Sequence, residues 1–294
     1  MINTDLLENK KWPYYLIWPL MWMMIIWILL KKRTRALTGN NGKVSCILFD
    51  GLGKYGEIIK QNVTGWKAVD LIYNHEFGKD KSIGGWLDDF WFNCLNCQAA
   101  RNRFKLALHE LKRAVLHLKQ APEIRIISLA CGTGQIECNA LNIWYLKNKM
   151  KLILIDNEEK ALKKAKEYII KHNAVDQIKL IKSNVNYGVK LIESFKPQIV
   201  TMIAFLDYLD NKSAINIFSE IYKFLPEGAT FIVSNTLPNI EMQFVKHVVE
   251  WPLIYRKPEE VVSLIKKGGF ENYWINTDPT KIQTVITAKK LFKT

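Results

Sequence analysis

Acidic residues are scarce in this chain. Its 294 residues carry 28 Asp and Glu against 42 Lys and Arg, a formal charge of +14. Much of the excess is Lys spread along helical patterns, including Lys160, Lys163, Lys164 and Lys166. Such a pattern reads first as a solvated helix face and second as attraction to an anionic membrane surface. Arginine-rich tracts and aromatic-basic RNA motifs are lacking, so nucleic acid is the least favoured partner. Cysteine is also sparse: five residues, an odd number, with no spaced framework. That excludes a disulfide scaffold and favours a reducing compartment. Cys94-Leu-Asn-Cys97 has no second ligand pair, so it reads as helix packing and no metal site is expected. A Gly-Lys-Ser/Thr phosphate loop is missing too.

One long stretch lacks charge altogether. Trp12 to Leu30 is a run of 19 uncharged residues, about 29 Å as a helix and close to bilayer thickness. Trp12, Trp18, Trp22 and Trp27, with Tyr14 and Tyr15, suit a membrane interface. Asp5, Glu8, Lys10 and Lys11 precede it and balance. Lys31, Lys32, Arg33, Arg35 and Lys43 follow it. By the positive-inside rule the expectation is a single-pass anchor in the inner membrane, with the catalytic part cytoplasmic and the bilayer as a partner. A signal peptide would carry its positive charge before the run. An in-plane or buried helix is the other alternative. The expected divisions are a tail (1–11), a transmembrane helix (12–30), a linker (31–43), a helical cap (44–121) and a catalytic domain (122–294).

Within the cap, Val44–Phe49 suggests a short strand, and Phe90–Lys119 has roughly helical spacing. Beyond Ala121-Pro122, strands and helices alternate. Strands are expected at Ile124–Ala130, Lys151–Ile155, Ile178–Ile181, Gln198–Ala204 and Thr230–Ser234. Helices are expected at Gln135–Tyr145, Glu158–Lys171 (capped by Asn157), Tyr187–Phe195, Lys212–Phe224 and Pro258–Lys267. This alternation predicts an α/β fold with a doubly wound, mainly parallel sheet. Phe270–Asn276 and Gln283–Ala288 are joined too closely for a crossover helix, so the last pair must be antiparallel.

Ser128-Leu-Ala-Cys-Gly-Thr-Gly134 places two glycines at the end of the first strand, and Asp156 closes the second. A tight turn with an acid beyond it points to an adenosine-containing cofactor. A dinucleotide fingerprint would need a third glycine where Glu137 stands. Leu129-Ala-Cys-Gly-Thr-Gly134, Ile155-Asp156, Leu-Pro-Glu-Gly228 and the closing hairpin together resemble the class I S-adenosylmethionine-dependent methyltransferases, from Glu123 to Lys290. That resemblance implies a seven-stranded Rossmann-like sheet and S-adenosyl-L-methionine as cofactor. Ala130, Gly132, Thr133, Gly134, Asp156, Asn157, Asn184 and Asp207 are its implied binding residues. Ser128 stands where the family has an acid that meets the cofactor's amino end.

A narrower similarity rests on Tyr73, Arg101-Asn-Arg103, Phe205-Leu-Asp-Tyr-Leu209 and Glu250-Trp-Pro-Leu-Ile-Tyr-Arg256. These resemble a bacterial group that includes enzymes forming hydroxy fatty acid methyl esters. They imply a carboxylate acceptor, with Tyr73, Arg101, Tyr208 and Arg256 as substrate residues; the expected anchor points to a small or lipid-like, membrane-partitioned acceptor. A carboxylate needs no base; for other acceptors His75 and His247 are the candidates. No Asn/Asp-Pro-Pro-Tyr follows the fourth strand, against base methylation. Ser128 and the charge leave two alternatives open: a silent cofactor-binding scaffold and an RNA methyltransferase.

Overall fold

The computed structural model describes residues 7–10, 12–39 and 44–292. Most of the expected tail, the end of the expected linker at 40–43, and the side chains of Trp12, Tyr14 and Tyr15 lie outside the described residues.

Seven strands form one sheet: β1 (Ile124–Leu129), β2 (Met150–Asp156), β3 (Ile178–Lys182), β4 (Ile199–Met202), β5 (Thr230–Thr236), β6 (Asn272–Thr277) and β7 (Gln283–Lys289). Their order is β3-β2-β1-β4-β5-β7-β6. All neighbours are parallel except β7, which runs antiparallel to β5 and β6. The central strands are near-continuous apolar runs because helices cover both faces. Alternation sends Ile126, Leu152 and Leu154 to one face. It sends Ile127, Leu129, Ile153 and Ile155 to the other. On that second face pack α8 (Val185–Phe195), α9 (Asn211–Phe224) and α11 (Pro258–Lys267).

The first face is covered by α5 (Leu95–His117), α6 (Gln135–Ala140) and α7 (Glu159–Lys171). Leu106, Leu111 and Val115 of α5 are buried in the sheet's own core. The expected boundary near residue 121 therefore does not separate α5 from the catalytic fold.

Before α5 come α1 (Trp12–Leu37), α2 (Gly56–Gln61), α3 (Trp66–Asn74) and α4 (Ile83–Phe92). The expected strand at Val44–Phe49 is instead a π-helical turn, Ile47–Gly51. Asp50 explains it. Its carboxylate accepts from the Cys46 amide (2.8 Å) and from Lys60 Nζ (2.8 Å), and Lys60 also donates to the Val44 carbonyl. The expected helix Phe90–Lys119 breaks at Asn93–Cys94. Gln98 donates to the freed Asn93 carbonyl and Arg101 to that of Phe92.

The expected transmembrane helix needs correction. No helix among the described residues is long and apolar enough to cross a membrane. Both flanks of α1 also rest on the same domain. Glu8 and Lys10 donate backbone amides to Asn102 and Gln98 of α5, while Val44 and Cys46 are buried in the cluster behind α1. A spanning helix would put those flanks on opposite sides of the bilayer. Met21, Met24, Ile25 and Ile28 instead form a stripe packed on that cluster.

The strap before α1 is held by Arg101, which donates from Nη2 to Glu8 (2.7 Å). Burial pushes the Glu8 carboxyl up, but Arg101 and Lys105 more than reverse that, so its pKa is lowered. The contribution is present above the ordinary carboxylate pKa and is lost as pH falls through the lowered one. Arg101→Ala is expected to cost about 3 kcal/mol, since Glu8 and the Phe92 carbonyl lose their partner together. Thermal unfolding at neutral pH should show the drop, and the gap to the parent protein should narrow in acid.

Candidate active site

Strand order reverses between β1 and β4, and a cleft opens beyond their C-terminal ends, where sheets of this kind bind ligands. It measures about 470 Å³. The turn after β1 forms its floor. Gly132 and Gly134 have φ of 55° and 63°, in the left-handed region that favours glycine. A side chain at Gly134 would also meet Leu154 Cδ1 at 2.7 Å. Two non-glycines share this conformation at the cleft, Ala130 (φ 51°) and Ala204 (φ 60°), after β1 and β4. Asp156 ties the turn down: Oδ2 accepts from the Gly132 amide (2.8 Å) and Oδ1 from the Glu158 amide (2.9 Å).

Of the expected cofactor residues, Ala130, Gly132, Thr133, Asp156 and Asn157 line the cleft. Gly134 lies at the N-terminus of α6, shaping the turn from behind. Three expectations change. Asn157 does not cap α7; the residue before that helix is Glu158. Asn184 is away from the cleft lining and caps α8, accepting from the Tyr187 amide (2.9 Å). Asp207 lies on the far side, accepting from the Thr236 amide and hydroxyl, both at 2.8 Å. It lines a second cavity.

Ser128 proves not to leave the cleft without an acid. Its hydroxyl donates to Glu137 Oε1 (2.8 Å), as does Thr201 (2.9 Å). Glu137, 2% exposed, lines the same cleft. Burial raises its pKa, with the two hydroxyls opposing. The carboxylate absent from the strand comes back from the first turn of α6. In the sequence its only signal is an acid at the helix start.

Helix α3 closes the cleft from above with Trp66, Val69, Asp70 and Tyr73. Asp70 is anchored by Gln135 Nε2 (2.7 Å) and the Tyr168 hydroxyl (3.1 Å). Its pKa is raised by burial, against those two donors.

The second cavity, about 90 Å³, shares Val69, Ala204 and Tyr208 with the cleft. Its walls are mostly apolar, with Phe49, Ile59, Ile72, Trp91, Phe244 and Val249 among them. Arg103, Asp207, Tyr208, Thr236 and Gln283 supply the polar groups. Gln283 Oε1 is buried without a partner among the described residues. Arg103 is 6% exposed and, among the described residues, donates only to the Tyr73 hydroxyl, at 3.2 Å from Nη2 and 3.4 Å from Nε. Burial disfavours its charge, yet Tyr73 and Asp207 outweigh that and raise its pKa. Tyr208 accepts from Trp251 Nε1 (2.7 Å), and burial pushes its phenol up to about 12.

Of the expected substrate residues, Tyr73 and Tyr208 line these cavities. Arg101 and Arg256 do not. Arg101 is spent on Glu8 and the Phe92 carbonyl. Arg256, 2% exposed, donates to Asn211 and to the Leu206 and Leu209 carbonyls, clamping the loop that carries Asp207 and Tyr208. Neither base candidate reaches the cavities: His75 pairs with Asp89 (2.7 Å) and stacks on Phe92, and His247 lies outside both linings.

Known proteins agree with this architecture. A family model described as a methyltransferase domain matches residues 120–288, more than half of the chain. No curated protein matches the sequence. Among solved structures, a possible exported protein from Bordetella parapertussis superposes with a TM-score of 0.71 at 15% identity, covering 92% of this chain and 97% of its own. Magnesium protoporphyrin IX methyltransferase from Synechocystis, with bound SAH, gives 0.56 at 13% identity, covering 80% and 98%. An O-methyltransferase family protein from Burkholderia thailandensis gives 0.51 at 12% identity, covering 70% and 63%. At these identities the structures speak for the fold, while the family model identifies the domain. The chain belongs to the class I S-adenosylmethionine-dependent methyltransferases.

Proposed function

We propose that the enzyme methylates an apolar acceptor carrying a carboxylate, held in the second cavity. The observation that carries this reading is the wall shared by the two cavities, with a buried Arg103 at the polar end of an otherwise apolar chamber. A buried guanidinium with spare donors suits the planar, bidentate recognition of a carboxylate.

The residues of the cleft fit the cofactor. Asp156 has the chemistry to accept from ribose hydroxyls, and Glu137 to accept from an ammonium group. The glycine turn lets a ligand approach the backbone, and α3 lines the cleft with Trp66, Val69, Asp70 and Tyr73. S-adenosylmethionine supplies a methyl on a sulfonium, whose sulfur leaves as a neutral thioether. A carboxylate oxygen attacks without releasing a proton, so this chemistry needs no general base. The protein's task is to orient the acceptor and keep water out. In this reading Arg103 holds the carboxylate, Tyr73 and Tyr208 frame it, and the apolar walls take the chain behind it. The Ser128–Glu137 pair removes the motive for a silent scaffold.

The test is methyl transfer from labelled cofactor to a panel of medium- and long-chain fatty acids and hydroxy fatty acids. Base-labile methyl esters are expected. Transfer confined to amines or to RNA would overturn the reading.

Glu137 adds a pH signature. Burial raises its pKa above that of an ordinary carboxylate, and it must be ionised to hold an ammonium group. Cofactor binding should therefore tighten as pH rises through that pKa. In Glu137→Gln, binding should weaken by roughly 10-fold and lose this pH dependence. Calorimetry over a pH series reads both.

A further inference from the structure

Helix α1 is apolar on two sides, and the domain covers only one. Its inner stripe, Met21, Met24, Ile25 and Ile28, is at most 4% exposed. The opposite side presents Trp18, Trp22, Met23, Ile26, Trp27 and Leu30, each more than 40% exposed. Contiguous apolar patches on one helix are uncommon on water-facing surfaces and mark an interaction site.

We propose that α1 lies flat in the interface of an anionic lipid membrane, outer face down. Three observations select this occupant. First, both flanks of α1 rest on the same domain, so the helix lies on the protein and its exposed side is free to face a bilayer. Second, the outer face carries three tryptophans, the residue type that favours the lipid–water boundary. Third, the helix contains no acid and continues into Lys31, Lys32, Arg33 and Arg35. Lys31 Nζ sits 4.3 Å from the Trp27 ring centroid, placing a cation beside the apolar face. Lys32 is paired with Glu250 at 2.6 Å. This pattern of apolar face and adjoining cations complements anionic headgroups over acyl chains. The α1 of a second copy carries no acid of its own to meet these cations.

The docking surface stands without the acceptor reading. If both hold, they adjoin: Phe244 and Val249 pack behind α1 and also line the apolar cavity. A membrane-dissolved acceptor would then have a short route in.

The test is flotation of the full chain with vesicles of phosphatidylcholine alone or containing phosphatidylglycerol. Binding to the anionic vesicles is expected, at least about 10-fold weaker in high salt. Two variants probe the face: Trp22→Glu with Ile26→Glu, and Lys31→Glu with Arg33→Glu. Each should reduce vesicle binding at least 10-fold while cofactor affinity, read by calorimetry, stays unchanged and reports an intact fold. Lack of vesicle binding by the parent chain would overturn the proposal. So would equal binding by the variants. A concentration-dependent dimer lost in Trp22→Glu with Ile26→Glu, without vesicle binding, would assign the face to a second copy. Methyl transfer to soluble acceptors is measured separately, so failure of the docking surface and failure of the acceptor reading are distinguishable.

Discussion

Replacing Asp156 by Ala is expected to weaken S-adenosylmethionine binding by about 100-fold. The carboxylate has two jobs. It holds the Gly132 amide, and so the shape of the turn, and it faces the cleft where ribose hydroxyls would sit. Hydrogen bonds to a charged group contribute roughly 1.5–3 kcal/mol each, and about 1.4 kcal/mol is a factor of ten. Losing one or two of them gives the expected factor. Asp156→Asn keeps an acceptor and should lie between the two. Calorimetry on the full chain reads the affinity, and thermal unfolding shows that the variant is folded. Equal affinity in the Ala variant would remove Asp156 from the binding site.

Replacing Arg103 by Ala should lower kcat/KM for a carboxylate acceptor by at least about 100-fold, leaving cofactor affinity unchanged. The guanidinium is buried, and an acceptor carboxylate brought beside it would be desolvated too. Truncating one partner of such a pair costs roughly 2–5 kcal/mol. Arg103→Lys keeps the charge but loses the planar fork, so partial recovery is expected. The contrasting variant is Arg101→Ala. Two residues along a helix rotate the side chain by about 200°, and Arg101 serves the strap at Glu8. Its loss should lower stability while sparing KM for the acceptor. Equal losses of kcat/KM in both arginine variants would contradict the assignment.

That contrast also shows where the sequence stops being readable. Near-continuous apolar runs mark buried parallel strands, so β1 and β2 were legible to within a residue or so. Pro258 and Gly268-Gly269 bound α11, and its observed limits, Pro258–Lys267, match the expected ones. The short connection before β7 forces the antiparallel pair. These are local signals with local causes.

The errors lie where a distant contact decides. Arg101 and Arg103 look alike in sequence; only the packing of α5 against α3 and the strap tells them apart. Glu137 broke a dinucleotide fingerprint, but its bond to Ser128 depends on how α6 leaves the turn. Asn184 occupies a position that suits a ligand contact or a helix cap equally, and it caps. Trp12–Leu30 has the length and polarity of a membrane span. What redirects it is the binding of Glu8 and Lys10 to α5, which no hydropathy pattern contains. The π-turn at Ile47–Gly51 likewise depends on Asp50 meeting Lys60 from the next helix.

In this reading the two cavities form one reaction site. The most direct measurement incubates the full chain with methyl-labelled S-adenosylmethionine and a long-chain fatty acid, then follows label into organic extract before and after alkaline hydrolysis. The predicted result is extractable label that alkali releases as methanol, abolished in both Asp156→Ala and Arg103→Ala. Tight cofactor binding with no label in any carboxylate, or labelled ester formed equally well by Arg103→Ala, would contradict it.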